Sequence, residues 1–298
     1  MPAARQGFFS VFMSKFLLVV FLLQISSGDL IAQASGGLKY LLKKNETLVY
    51  HVSIEVDQGD YWTILSGYPT YQVMNSDKDS IQVRLTGLLN ESQKAKPGKR
   101  IMFRGPGRMS PFSPFTGVAP GSLGRTGPNV IKINSRGEVI SKSGSSQLPF
   151  LLGNLSELML ELLPAGEEKT WNEQTDISIS LSSGRLPRPS FIRDDKKLIR
   201  AKQTTTYTRQ NTTAEGLEIQ KEFKLRTTET VDGEPRFEIN GAGKLIFDVD
   251  QGRPLKLTFE QTVIERENNT TEKTPLKISY RLLDEKERVE LAESRKAT

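Results

Sequence analysis

The sequence has no cysteine and a single histidine, His51. Without cysteine there is no disulfide staple, no thiol nucleophile and no lipid-attachment site, so stability must come from the core itself. With one histidine there is no multi-histidine metal cluster and only one base for a serine triad. His51 falls on the polar side of its strand beside Ser53 and Glu55, as a solvated strand histidine does. Phosphate-cradling glycine patterns are also missing: "GSLGRTG" spaces Gly121, Gly124 and Gly127 by three, which fits neither G-x-G-x-x-G nor a P-loop. Close acid pairs exist at Asp57 and Asp60, Asp77 and Asp79, Asp194 and Asp195, and Asp248 and Asp250, but each lies in a polar turn. Turn aspartates bonding their own backbone account for them. "NSDKDS" starts like a calcium loop but has Ser80 and Thr86 where glycine and glutamate are needed. No catalytic residue, metal site or cofactor is therefore assigned, and a non-enzymatic protein is expected.

A bilayer-spanning run is lacking too. The apolar stretch "FLLVVFLLQI", Phe16 to Ile25, is too short for a bilayer core that needs about 20 residues. It follows Lys15 and precedes "SSGD" and "AQA", the arrangement of a signal peptide cleaved after Ala34. Residues 1–34 are thus expected to be removed and the protein to be exported, periplasmic or extracellular, in a bacterium. Cleavage removes Arg5, Lys15 and Asp29, two positive charges and one negative, taking the formal charge from +6 to +5 with no transmembrane span left.

What the chain has in abundance is alternation. An apolar content of 36% against 26% charged residues supports a core. In "LVYHVSIEV" Leu48, Tyr50, Val52, Ile54 and Val56 share one face. Period two returns at Ile81, Val83 and Leu85; at Ile177, Ile179 and Leu181; at Leu217, Ile219, Phe223 and Leu225; at Leu255, Leu257, Phe259 and Val263; and at Leu276, Ile278, Tyr280 and Leu282. Such strands predict an all-β fold, mainly antiparallel, with one dry and one wet face. The leucine-rich stretch 151–163, bounded by Pro149 and Pro164, predicts one short helix lying on the dry face. "IKINSRGEVISKSG" and "LIFDVDQGRPLKLTF" both read as strand, glycine turn, strand. That likeness favours two related β modules, 35–181 and 191–283, joined by a linker at 182–190 and followed by a charged tail, 284–298. One curved open sheet or half-barrel is the other arrangement the pattern permits.

The "NSRGEVIS" turn, the leucine-rich stretch followed by Thr170 and Trp171, and "GAGKLIFDVDQGRPLKLTFEQ" resemble a family of exported bacterial proteins, planctomycete ones among them, known only as a domain of unknown function. In outline the likeness covers most of the mature chain. It implies export and a β-rich fold, and supplies no activity and no functional residue.

Two features are candidates for binding. Tyr61, Trp62, Tyr68 and Tyr71 crowd "DYWTILSGYPTYQV", where exposed aromatics would stack on a flat ligand and buried ones would pack. From Ser92 to Gly137 there are nine basic residues and no acid, within a Pro/Gly loop over 92–129. Lys99, Arg100, Arg104, Arg108 and Arg125 form a candidate contact for an anionic partner, a lipid head group or acidic glycan, and Phe103, Met109, Phe112 and Phe115 add apolar anchors. Export argues against nucleic acid as the partner, leaving an anionic envelope component or another protein. The leading expectation is a cell-envelope interaction or structural module. The alternative is a carrier of a lipid or other hydrophobic ligand in a β half-barrel.

Overall fold

The computed structural model describes residues 37–99, 129–144, 155–181, 187–189, 198–267 and 270–296. The first half contributes β1 (Thr47–Asp57), β2 (Tyr61–Gly67), β3 (Thr70–Ser76), β4 (Ile81–Thr86), β5 (Leu89–Ala95), β6 (Asn129–Ile133) and β7 (Val139–Ser143). Then come β8 (Thr170–Leu181), β9 (Pro187–Pro189), β10 (Leu198–Thr213) and β11 (Gly216–Thr227). A two-residue clip, β12 (Thr230–Val231) with β13 (Glu234–Pro235), precedes β14 (Phe237–Asp248), β15 (Arg253–Glu267), β16 (Thr270–Leu282) and helix α1 (Glu285–Lys296).

Alternation becomes burial as the sequence predicts. Leu48, Tyr50, Val52, Ile54 and Val56 of β1 are each at most 1% exposed, while the residues between them face outward or lie half-buried. Apart from the clip, the strands form one 14-stranded antiparallel sheet in the order β7-β6-β4-β3-β1-β16-β15-β14-β11-β10-β8-β9, with β2 and β5 attached beside β1. Among the described residues neither end of the order pairs with a further strand, so the sheet is open and not a closed barrel. Tyr50 to Val56 of β1 pair with Leu282 to Leu276 of β16, which joins the two halves of the chain in one sheet. Of the two arrangements open to the sequence, this is the single open sheet. The stretch 182–190 holds β9, whose backbone pairs with β8.

β1 is where the sheet divides. On the edge away from β16, Thr47 to Val49 pair with β3 and Val52 to Asp57 pair with β2. The β3-β4-β6-β7 branch thereby leaves the main sheet, and its β6–β7 turn approaches the inner face of the long strands. There the Leu163 amide donates to the Arg136 carbonyl at 2.8 Å, and the Tyr40 amide donates to the Ser135 carbonyl at 2.8 Å.

Two expectations require correction. Over its described part the 151–163 segment is a single 3-10 turn, Leu155–Glu157, followed by irregular chain. From Met159 to Leu163 burial alternates by two, with Met159, Glu161 and Leu163 buried and Leu160 and Leu162 half-buried. A run this rich in leucine satisfies a helical and an extended period alike. The decision falls to the backbone groups, which here bond to the rest of the protein instead of to their own helix. The Tyr71 hydroxyl donates to the Leu155 carbonyl at 2.6 Å, the Trp171 indole to the Leu162 carbonyl at 2.8 Å and the Arg136 Nε to the Leu163 carbonyl at 3.2 Å. The α-helix of the described chain is α1, in the tail, begun by a capping box. The Asp284 carboxylate accepts from the Glu287 amide at 2.8 Å and the Glu287 carboxylate accepts from the Asp284 amide at 3.1 Å.

The second correction is Leu255, expected on the dry face. Phe247 pairs with Pro254 and Ile246 with Lys256, so Leu255 is the extra residue of a β-bulge and leaves the buried row.

Candidate functional site

The main-sheet registers define the inner face as rows of side chains. One row reads Trp171, Tyr207, Lys221, Gly243, Phe259, Ile278 and Ile54 across seven strands. The next reads Glu173, Thr205, Phe223, Gly241, Gln261, Leu276 and Val56. Gly241 and Gly243 thus leave a double gap in the middle of the dry face. A Cβ on Gly241 would stand 2.6 Å from the Phe259 ring, and one on Gly243 would run into the backbone at Thr258 and Phe259. Gly pairs at inward strand positions are what a close approach requires.

Above these rows lies the 155–163 segment together with the β6–β7 turn. Between roof and floor is a cavity of about 500 Å³. Leu158, Leu160 and Leu162 line it from the roof, and Phe223, Leu257, Phe259 and Ile278 from the floor. Gln203, Thr205 and Gln261 add polar groups. The roof is held by named bonds. The Tyr40 hydroxyl donates to the Glu161 carbonyl at 3.0 Å and accepts from the Glu161 amide at 2.8 Å. Gly137, at φ +87°, lies so close that a Cβ would meet the Glu161 carbonyl oxygen and the Tyr40 ring.

One ion pair crosses from roof to floor. The Lys221 ammonium donates to both Glu161 carboxylate oxygens, at 2.6 and 2.7 Å, and the Tyr207 hydroxyl donates to the same carboxylate at 2.8 Å. The two charged side chains are 17% and 5% exposed. Lys221 also sits 5.4 Å from the Phe259 ring centroid and 5.9 Å from that of Tyr207. Tyr207 stacks on Trp171 at 5.3 Å, and burial, then the Glu161 charge, pushes its hydroxyl pKa well up. Glu173 lines the same cavity and makes no hydrogen bond or ion pair among the described residues. Burial, then repulsion from Glu161, raises its carboxyl above the ordinary value, with Lys221 opposing.

Glu161, Lys221 and Glu173 are absent from the sequence-derived candidates, yet they left a signal. Lys221 occupies an inward slot between Ile219 and Phe223, where alternation demands an apolar residue. Glu161, like Glu157, is an acid within a leucine run, and Gly241 and Gly243 interrupt another inward row.

The candidates named from sequence are distributed differently. Of the basic loop, Arg100, Phe103, Arg104, Arg108, Met109, Phe112, Phe115 and Arg125 lie outside the described residues. Lys99 is an exposed side chain paired with Asp60 at 3.0 Å. Lys96 pairs with Asp57 at 2.7 Å and lies 5.3 Å over the Trp62 ring, so acids of the β1–β2 turn compensate this end of the positive stretch. The four aromatics do not form one platform. Tyr61 and Trp62 are neighbours on β2 and point to opposite sides. Tyr68 is 37% exposed and packs on His51 at 5.1 Å. Tyr71 is 1% exposed and belongs to the core, edge-on to Tyr50 at 5.7 Å. Asp57 and Asp248 accept from the Gly59 and Gln251 amides as turn aspartates do. Among the described residues no group of three or more metal-ligating side chains could hold an ion, and no helix is long and apolar enough to cross a membrane.

No protein-family model matches the chain, and no curated protein and no solved structure matches it at a significant level. These comparisons neither support nor oppose the resemblance drawn from the sequence.

Proposed function

We propose that the protein is an exported, non-enzymatic binding protein that carries a small apolar or amphiphilic ligand between the inner face of its sheet and the 155–163 roof. The observation that carries this reading is the cavity of about 500 Å³ between the 155–163 roof and the sheet, with Leu158, Leu160 and Leu162 above and Phe223, Leu257 and Phe259 below. Its size falls within the ~300–1,000 Å³ of small-molecule pockets, and its lining mixes apolar side chains with carboxylate, amide, hydroxyl and ammonium groups, as an amphiphile requires.

The interaction-module reading rests on the basic loop, of whose described members Lys99 pairs with Asp60 and Lys96 with Asp57. A carboxylate hydrolase would use Glu161 and Glu173, two of the four carboxyls that line the cavity. Lys221 and Tyr207 occupy the Glu161 oxygens, which favours a binding wall over an acid or base that must activate water.

The test is native mass spectrometry of the mature protein purified from its own cell envelope, with solvent extraction of bound material. The expected result is a defined adduct on the chain. A bare mass, under conditions that keep a known lipid carrier loaded, together with no binding of the apolar fluorophore N-phenyl-1-naphthylamine, would sink the carrier reading.

A further inference from the structure

The protein as a whole is positive, formally +6, whereas the charged side chains of the cavity are mostly acids: Glu138, Glu157, Glu161 and Glu173 against Lys221 alone. Three of the four acids are already compensated. Glu157 pairs with Lys142 at 2.7 Å, Glu138 with Arg136 at 3.4 Å, and Glu161 with Lys221 at 2.6 Å. Glu173 is the carboxyl that faces the cavity without a cation.

An anionic head group has one cation to bind here, Lys221. Taking it would leave the Glu161 carboxylate, 5% exposed, without its counter-ion. Breaking a buried pair in that way is strongly destabilising, and outweighs what a surface carboxylate gains from one ammonium. A cationic head group meets the opposite situation. At Glu173 it completes a pair that the protein leaves half made, and it does so without disturbing Glu161 or Lys221. Register places Thr205 beside Glu173 and Phe223 beside Thr205, so an apolar chain leading from Glu173 passes at once onto the floor of the cavity. The Leu158, Leu160 and Leu162 side chains cover that path from above.

We infer that the ligand of this cavity is an amphiphile with an amine head group, the ammonium paired with Glu173 and the apolar chain lying across Phe223 and Phe259. This inference rests on the carrier reading, and it gives the cavity a charge preference opposite to that of the protein surface.

The experiment titrates the mature full-length protein with three probes of one chain length, decylamine, decanoate and decanol, by displacement of N-phenyl-1-naphthylamine at pH 7 and low salt. Decylamine should bind at least about 10-fold more tightly than decanoate. The Glu173→Gln variant, checked for a cooperative melting curve with a midpoint no lower than the parent's, should lose most of that preference while binding decanol as the parent does. Decanoate binding as tightly as decylamine, or an amine preference that persists in Glu173→Gln, would overturn the inference and leave the carrier reading intact. Failure of all three probes to displace the fluorophore would overturn both.

Discussion

Tyr40 and Glu161, 121 residues apart in the chain, exchange two hydrogen bonds: the phenol donates to the Glu161 carbonyl and accepts from the Glu161 amide. One side chain thereby satisfies a donor and an acceptor that a helix would have paired internally. The roof of the cavity is in this sense assembled by the sheet beneath it, since Tyr71, Trp171 and Arg136 bind its other carbonyls. Glu161 is then delivered to Lys221 with its backbone already fixed.

Tyr40→Phe keeps the ring and its edge-on contact with Phe247 at 5.8 Å but deletes both hydrogen bonds. Leaving a buried amide and carbonyl unpaired costs about 1–3 kcal/mol. Amide hydrogen exchange should quicken at Glu161 and Leu163 far more than in β14 or β15. Equal quickening throughout would mean that the roof is not a separately opening unit.

Lys221→Met leaves the Glu161 carboxylate buried without a counter-ion, and should lower stability by about 3–5 kcal/mol in urea unfolding. Adding Glu161→Leu removes the orphaned charge, so the double variant should recover a large part of that loss. Strict additivity of the two single changes in the double-mutant cycle would show that the pair contributes no coupling.

Gly241→Ala and Gly243→Ala should differ. The new methyl at 241 meets the Phe259 ring and the Gln261 Cβ, at 2.6 and 2.9 Å, and a ring can swing aside. At 243 it meets the backbone of Thr258 and Phe259, which cannot. Overpacking of this kind costs about 1–3 kcal/mol, with Gly243→Ala at or above the upper end. Displacing Phe259 narrows the cavity, so Gly241→Ala should also bind N-phenyl-1-naphthylamine more weakly while lowering the melting temperature less than Gly243→Ala does.

The pH response has two signs. Burial opposes ionisation of Glu238, but hydrogen bonds from Asn240 and Arg226 and the charge of Arg266 outweigh it and hold the carboxyl below its ordinary value. At Asp57 burial is likewise outweighed, by Lys96 and the Gly59 amide. A lowered carboxyl stabilises the fold above its unfolded pKa of about 4, and that contribution is lost as pH falls through the folded value. Glu173, raised by burial and Glu161, does the reverse: it costs stability as pH rises from about 4 through its folded value. Urea midpoints should therefore fall on acidification, less steeply in Glu238→Gln. Glu173→Gln should raise the midpoint at pH 7 and leave it unchanged at pH 3. A Glu173→Gln midpoint that rises equally at both pH values would contradict the raised carboxyl.

The sequence by itself determined which residues face inward, because side chains on a strand alternate whatever the partner strand is. The burial of Leu48 to Val56, Ile81 to Leu85 and Leu276 to Tyr280 follows from that period alone. Turn chemistry was equally local, as at Asp57 and Asp248. Tertiary structure decided what depends on partners distant in the chain. The pairing of β1 with β16 makes one sheet of two similar-looking halves, and no local pattern specifies a pairing between strands more than 200 residues apart. The leucine segment could have bonded to itself as a full helix; it does so over one 3-10 turn, and Tyr40, Tyr71, Trp171 and Arg136 take up other groups of its backbone. The charged pair at the site arose in the same way. Glu161 and Lys221 each look misplaced in an apolar pattern, and burying either alone would be prohibitive; only the closure of the roof onto the floor lets each neutralise the other.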